Sequence, residues 1–345
     1  MNNSTPTLTG GLGSPPPGTV QFVAATFVAM LIVFTLIGNV LVCASFALFR
    51  ELRTICNYFV VSLSAADILV ALLAMPFWCA LQVTSNMWMF GLELQLFWSC
   101  MDILCGTASI MNLMAVSIDR HIAITMPFYY ETVMSPIKAK LTIMFVWLYA
   151  ITISCLRLVQ WPGKQGKVYM NIAAFASFLC PLTVMVVMYL RIYLVARYQV
   201  RRIGRNYMTD VKAAKTIAVV IGVFVACWTP FFVIIICYAH HPGFNVTKTT
   251  LNVVKWMEYL NSCLNPVIYT CLNRNYRRAF RKLLRRCVRL RDRRGSSASS
   301  STFQRTMRLG SMSVSVTFIK TEPNSITGRL TKCSCMRPNV SSPKL

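Results

Sequence analysis

The run LQLFWSCMDILCGTASIMNLMAVSIDRH, residues 94–121, decides the fold. It is apolar over most of its length, carries the acid Asp102 in its first half, and ends on Asp119-Arg120. A helix rises about 1.5 Å per residue, so roughly 20 apolar residues cross the ~30 Å hydrocarbon layer of a bilayer. A run of this length and character predicts a membrane-crossing helix. A lone strand in lipid would leave its backbone polar groups unpaired.

Six comparable runs lie on either side, near 20–48, 56–82, 141–159, 168–196, 213–239 and 249–272. The composition of the 345 residues agrees, with 56% apolar and only 13% charged. Soluble domains carry about 25% charged residues. The predicted fold is an all-α membrane protein, a seven-transmembrane helix bundle over residues 20–272. Residues 1–19, with Pro15-Pro16-Pro17, read as an extracellular N-terminal tail. A channel or transporter would show repeats or helices broken at mid-membrane, and neither is visible. The three histidines, His121, His240 and His241, and the cysteine spacing form no metal motif or nucleophile triad, so no enzyme is expected.

The net charge is +25, and its placement decides its meaning. The tail from Asn273 onward holds 18 Lys and Arg against Asp292 and Glu322. The loops after the first, third and fifth runs carry most of the remainder: Arg50 and Arg53, Lys138 and Lys140, then Arg197, Arg201, Arg202, Arg205, Lys212 and Lys215. The opposite side has only Arg157, Lys164, Lys167, Lys248 and Lys255. Basic residues mark the cytoplasmic side, so the N-terminus is placed outside and the tail inside. The charge faces anionic lipid and a cytoplasmic partner, and no nucleic acid is expected. Three Asn-X-Ser/Thr triplets, at Asn2, Asn3 and Asn245, fall on the outer side as candidate glycosylation sites. Residues 288–345, with the Ser-rich stretch at 296–301, read as a disordered cytoplasmic tail.

Charges inside spans are costly and mark function. Asp67 lies mid-span, where it either bonds neighbouring helices or, with Asn39, Ser109, Asn261, Ser262 and Asn265, offers oxygen ligands to a small hard cation. Asp102 precedes Arg120 by 18 residues, about 27 Å along a helix. With Arg120 at the inner edge, Asp102 belongs in the outer half. The helical period groups it with Gly106, Ser109 and Leu113, and Gly106 leaves room beneath it. No basic residue except Arg157 is expected at that depth, so the carboxylate invites a cation from outside. Trp228, Trp256 and Tyr259 are aromatics suited to an ammonium group. Pro230 kinks the sixth span.

These residues carry a resemblance that runs from Gly38 to Cys287. Gly38-Asn39-Val40, Leu63-Ser64-Ala65-Ala66-Asp67, Asp119-Arg120-His121, Trp147, Pro181 with Tyr189, Cys227-Trp228-Thr229-Pro230 and Asn265-Pro266-Val267-Ile268-Tyr269 mark the seven spans in order. The sequence resembles the rhodopsin-like G-protein-coupled receptors, and within them the biogenic-amine and trace-amine branch. Asp102-Ile103-Leu104-Cys105-Gly106-Thr107-Ala108-Ser109-Ile110 looks like that branch's third-span core.

The resemblance implies a small amine ligand held by Asp102, with Ile103, Gly106, Ser177, Trp228, Phe231, Phe232, Trp256, Glu258 and Tyr259 around it. It implies an allosteric sodium ion at Asp67, Ser109, Asn261, Ser262 and Asn265, and no other cofactor. Asp119, Arg120, Asp210, Tyr189, Phe224, Trp228, Pro230, Asn265, Pro266 and Tyr269 would form the activation switch. Arg120 and Phe128 would meet a heterotrimeric G protein at the plasma membrane. Residues 273–287 would form an amphipathic eighth helix, with Cys287 palmitoylated, and the tail would meet arrestin and receptor kinases.

Three departures stand out. The third-span cysteine of the family's outer disulfide is Gln95 here, and the loop near 160–169 has no cysteine, so no disulfide is expected. At the catechol-reading positions of the fifth span stand Ala173, Ala174 and Ser177, of which only the last is polar. Glu258 occupies a position where amine receptors usually have Gly. It either adds a second acid for a diamine or pairs with Lys255 one turn away, the reading that weighs slightly more. An orphan receptor, a peptide or other non-amine ligand, and constitutive activity stay open alternatives.

Overall fold

A computed structural model describes residues 18–84, 87–159, 161, 164–200, 207–241, 245–285, 302–309, 312–322 and 325–335. The chain divides into two units, residues 1–280 and 281–345. Among the described residues the first unit is helical: α1 (Thr19–Leu48), α2 (Ile55–Leu73), α3 (Met75–Val83), α4 (Gly91–Thr125), α5 (Tyr130–Val133), α6 (Pro136–Cys155), α7 (Lys164–Ala174), α8 (Cys180–Val200), α9 (Tyr207–His240) and α10 (Lys248–Leu272). Residues 274–285 are helical as well.

Among the described residues six segments are long and apolar enough to cross a membrane: Thr19–Leu48, Ile55–Val83, Gly91–Thr125, Pro136–Leu158, Gly166–Val195 and Ala218–His240. α10, at 25 residues, is more polar because Lys255, Glu258, Asn261, Ser262 and Asn265 all turn inward and are buried. The outward faces are greasy. Phe22, Val33, Phe34 and Ile37 on α1, and Leu141, Phe145 and Leu148 on α6, are exposed. Such surface is tolerable only where the solvent is hydrocarbon.

Proline and glycine set the helix paths. Pro76 stands where α2 gives way to α3, since its ring displaces the backbone of the preceding turn. A single turn of π-helix, Phe175–Leu179, joins α7 to α8. Gly38 lets α1 approach α10, because a Cβ there would stand 2.8 Å from Pro266 Cγ.

In lipid the hydrophobic effect does not drive helices together, so close packing and interhelical hydrogen bonds hold them, at about 0.6 kcal/mol per bond on average. Trp147 Nε1 donates to Ser62 Oγ at 3.0 Å, linking α6 to α2. Tyr149 donates to the Ala176 carbonyl at 3.0 Å. Asn39 Nδ2 donates to the Ser262 carbonyl at 3.1 Å, linking α1 to α10. Ser154 Oγ donates to the Cys100 carbonyl at 2.7 Å, linking α6 to α4. Where α3 leads into α4, indoles pack together: Trp78 of α3 stacks on Trp98 of α4 at 6.0 Å, and Trp88 between the two helices lies 5.7 Å from Trp98.

The second unit corrects one expectation. Within 288–345, read as disordered, β1 (Thr302–Leu309), β2 (Met312–Glu322) and β3 (Ser325–Cys335) form an antiparallel sheet in the order β1-β2-β3. The physical reason is the two-residue alternation Ser313-Val314-Ser315-Val316-Thr317-Phe318, which suits a strand.

Candidate functional site

Between α4, α9, α10 and the α7–π–α8 segment lies a cavity of about 350 Å³. Asp102, Ile103, Gly106, Ser177, Trp228, Phe231, Phe232 and Glu258, which the resemblance groups around a ligand, line it. So do residues the sequence reading did not single out as pocket residues, among them Trp98, Thr107, Ile110, Tyr169, Phe178 and Lys255. Arg157, half-buried on the turn Leu156–Leu158, lines it too.

The local chemistry follows from helix period. Lys255, Glu258 and Tyr259 stand at i, i+3 and i+4 on α10, hence on one face, and that face meets Asp102 of α4. Lys255 Nζ donates to Asp102 Oδ2 and also, at 2.9 Å, to Glu258 Oε2. Tyr259 donates to Asp102 Oδ1 at 3.4 Å. The rings of Phe231, Tyr259 and Trp98 surround the ammonium, their centroids 5.0, 5.3 and 5.8 Å from Nζ. Lys255 and Glu258 are each only 4% exposed. An ammonium between two carboxylates and three aromatic faces is held by charge, hydrogen bonds and ring quadrupoles together.

This overturns the expectation that no basic residue but Arg157 reaches the depth of Asp102. Lys255 reaches it, because its long stem carries the charge from the helix face into the bundle. It also decides how Glu258 is used. Glu258 pairs with Lys255, and Lys255 brings it into one cluster with Asp102. Trp256 is corrected as well. One residue round the helix from Lys255, its ring packs edge-on against Phe27 of α1 at 5.5 Å and does not line the cavity.

The floor of the cavity is aromatic. Trp228 stacks on Phe224 at 5.6 Å and on Phe232 at 6.0 Å, and Phe232 stacks on Phe178 at 4.2 Å. Gly106 makes room for Trp228, since a Cβ there would lie 2.5 Å from its ring. On the π turn, Ser177 Oγ donates to the Ala173 carbonyl at 2.5 Å.

Deeper in the bundle Asp67 is fully buried and accepts from Asn265 Nδ2 at 2.9 Å. Ser109, Asn261 and Ser262 are buried on α4 and α10. Several oxygens are buried without a hydrogen-bond partner: Asp67 Oδ1, Asn39 Oδ1, Ser64 Oγ and Asn261 Oδ1.

At the opposite end of α4 from Asp102, Arg120 Nε and Nη2 donate to Asp119 Oδ2 at 2.9 and 2.6 Å. Tyr130 of α5 donates to Asp119 Oδ1 at 2.7 Å, a partner the sequence reading missed. Burial, and then the Asp119 carboxylate, push the Tyr130 phenol above its usual range. Phe128 is 95% exposed beside them. Tyr189 packs with Ile124 and Ile192, and its hydroxyl is buried without a partner. Pro230 and Pro266 lie inside α9 and α10, and Tyr269 stacks on Tyr276 at 5.8 Å. Asn245 is exposed. Asn2, Asn3, Cys287 and the side chain of Asp210 lie outside the described residues.

Residues 38–269 match the family model described as 7 transmembrane receptor (rhodopsin family). The chain belongs to the rhodopsin family of seven-transmembrane receptors. Relatives agree. The chain is 31% identical over 335 residues to the alpha-1A adrenergic receptor of Rattus norvegicus, covering 80% of this chain and 72% of that one. It is 34% identical over 277 residues to the histamine H2 receptor of the same species, covering 73% and 76%. To the alpha-1A adrenergic receptor of Bos taurus it is 30% identical over 331 residues. The protein is therefore a multi-pass membrane receptor, and not an enzyme.

Proposed function

We propose that this receptor binds a small cationic amine at Asp102 and in response drives nucleotide exchange on a heterotrimeric G protein. The observation that carries the reading is the cage at Asp102, where two carboxylates and three rings already hold an ammonium group, that of Lys255. The relatives named for adrenergic and histamine ligands support it. A 350 Å³ cavity suits a small molecule better than a folded peptide.

In this reading α10 is the seventh crossing, the N-terminus is outside the plasma membrane, and the basic tail is cytoplasmic. The helix at 274–285, with Arg274, Arg277, Arg278, Arg281 and Lys282, lies along anionic lipid. Arg120, held by Asp119 in the resting state, would be released toward the G protein, with Phe128 packing against the partner. The tail carries Ser and Thr for receptor kinases and arrestin, Cys287 takes palmitate, and Asn2, Asn3 and Asn245 take glycans.

A sodium ion is the expected allosteric cofactor. Asp67 and the orphaned oxygens beneath the cavity fit a hard cation, which takes oxygen ligands. When bound, the ion would supply the positive charge that Asp67 otherwise lacks.

A panel of amines applied to cells expressing the receptor, read through several second messengers, tests the proposal. An amine response that disappears in Asp102→Asn at equal surface expression supports it. An unchanged dose–response curve in that variant contradicts it.

A further inference from the structure

We propose that Lys255 is a resident occupant of the amine site: its ammonium holds Asp102 while no ligand is bound and withdraws to Glu258 when a ligand ammonium arrives, so that the site admits one positive charge. This rests on the amine reading above and specifies its ligand as a monoamine.

The geometry has the parts such an exchange needs. Lys255 bonds both acids at once, one on α4 and one on its own helix. The Glu258 partner is one helical turn away, so that pair can persist without Asp102. The lysine stem is flexible and its head is a compact charge with three donors, so it can keep one bond and give up the other. The three rings around Nζ would face an incoming ammonium in the same way.

Charge counting then names the ligand. With both carboxyls ionised, Asp102 and Glu258 carry two negative charges, and Lys255 answers one of them. Arg157 also lines the cavity, but it is half-buried on an outer turn and forms no ion pair among the described residues. One monocation on Asp102, with Lys255 on Glu258, leaves each carboxylate of this cluster paired with one ammonium. A diamine would bring two charges to one vacancy. Without Glu258, displaced Lys255 would be an unpaired ammonium inside the bundle, which is costly. Glu258 is thus a positioning residue that acts on ligand through Lys255.

The experiment is a double-mutant cycle in cells expressing the full-length receptor, with surface expression measured by epitope labelling. The probes are phenyl-, imidazolyl- and indolyl-ethylamine, with 1,4-diaminobutane as the dication. Glu258→Gln is expected to raise the monoamine EC50 about tenfold or more, because Lys255 then stays on Asp102. Lys255→Met is expected to lower it and to let 1,4-diaminobutane act. Glu258→Gln with Lys255→Met is expected to return the monoamine EC50 to within about threefold of the wild type, a non-additivity that contacting residues show and independent ones do not. Lys255→Gln replaces Lys255→Met if the latter fails to reach the surface.

A double variant as weak as Glu258→Gln alone would mean that Glu258 touches the ligand directly, and would overturn the exchange while leaving the amine site standing. A Lys255→Met receptor weaker than the wild type overturns it too. Silence of the wild type and every variant toward all the amines overturns the amine reading itself. A silent wild type with a responsive Lys255→Met receptor would show that Lys255 occupies the site without yielding it, and would overturn the exchange.

Discussion

Asp102 and Asp67 are both carboxylates inside the helix bundle, and their surroundings answer that charge differently. Asp102 has an ammonium from its own chain, a second acid to share it, and a ring of aromatics. Asp67 has the amide of Asn265 on one oxygen and no partner on the other, with orphaned oxygens of Asn39, Ser64 and Asn261 also buried. A buried charge must be paired or bound to an ion. At the outer site the chain supplies the counter-charge, so a ligand must compete for it. At the inner site the described neighbours supply dipoles and oxygens, the setting in which the proposed sodium ion would bring the counter-charge.

The comparison can be broken at several points. The largest effect is expected from Gly106→Val, which drives side-chain atoms into Trp228 at the floor between the two sites. Overpacking of this kind costs typically about 1–3 kcal/mol, and more where backbone must shift. Ligand-binding capacity and surface expression, measured by saturation binding and epitope labelling, should both fall severely, whereas normal levels of both would show that Trp228 moves freely.

Next comes Asp67→Asn. If the inner carboxylate relies on sodium, agonist affinity in wild-type membranes should fall as NaCl replaces N-methylglucamine chloride at constant ionic strength. The variant should lose that dependence while still binding amine. A sodium effect of equal size in the variant would place the ion elsewhere. Titrating sodium against Lys255→Met sharpens the contrast, because the outer substitution should leave the sodium midpoint of the unliganded receptor near the wild-type value.

The smallest effect is expected at the inner end. Tyr130→Phe removes the phenol that donates to Asp119 beside Arg120. A hydrogen bond to a charged acceptor contributes about 1.5–3 kcal/mol. Part of that should be recovered by water, so a rise in basal nucleotide exchange of a few-fold is the expected readout, and no rise would assign the restraint to Asp119 alone.

Much of the fold was legible in the sequence, because hydrocarbon leaves the chain few choices. Six apolar runs became helices of crossing length, and the run near 249–272 became the more polar helix α10. Asp102, Gly106, Trp228 and Phe231 could be placed around one cavity from helical spacing and the family's motifs. Lys255 was misread for a physical reason. Counting basic residues on each side of the membrane treats a lysine as a marker of depth along the helix and ignores which way its stem points. Its spacing to Glu258 and Tyr259, three and four residues, carried the missing signal. Trp256 shows the converse. A motif match put it with Tyr259, but it stands one residue, about 100° of helix turn, from Lys255, and its ring packs against Phe27 of α1. In the tail, basic and serine-rich composition concealed a two-residue alternation in β2.

The central claim is that Asp102 takes the ammonium of an external amine. Equilibrium binding of a radiolabelled arylethylamine to membranes carrying wild-type receptor or Asp102→Asn, matched for surface expression, tests it most directly. Saturable binding in the wild type and its loss in the variant, by about a hundredfold or more in Kd, is the expected result. The same Kd in both would contradict the account.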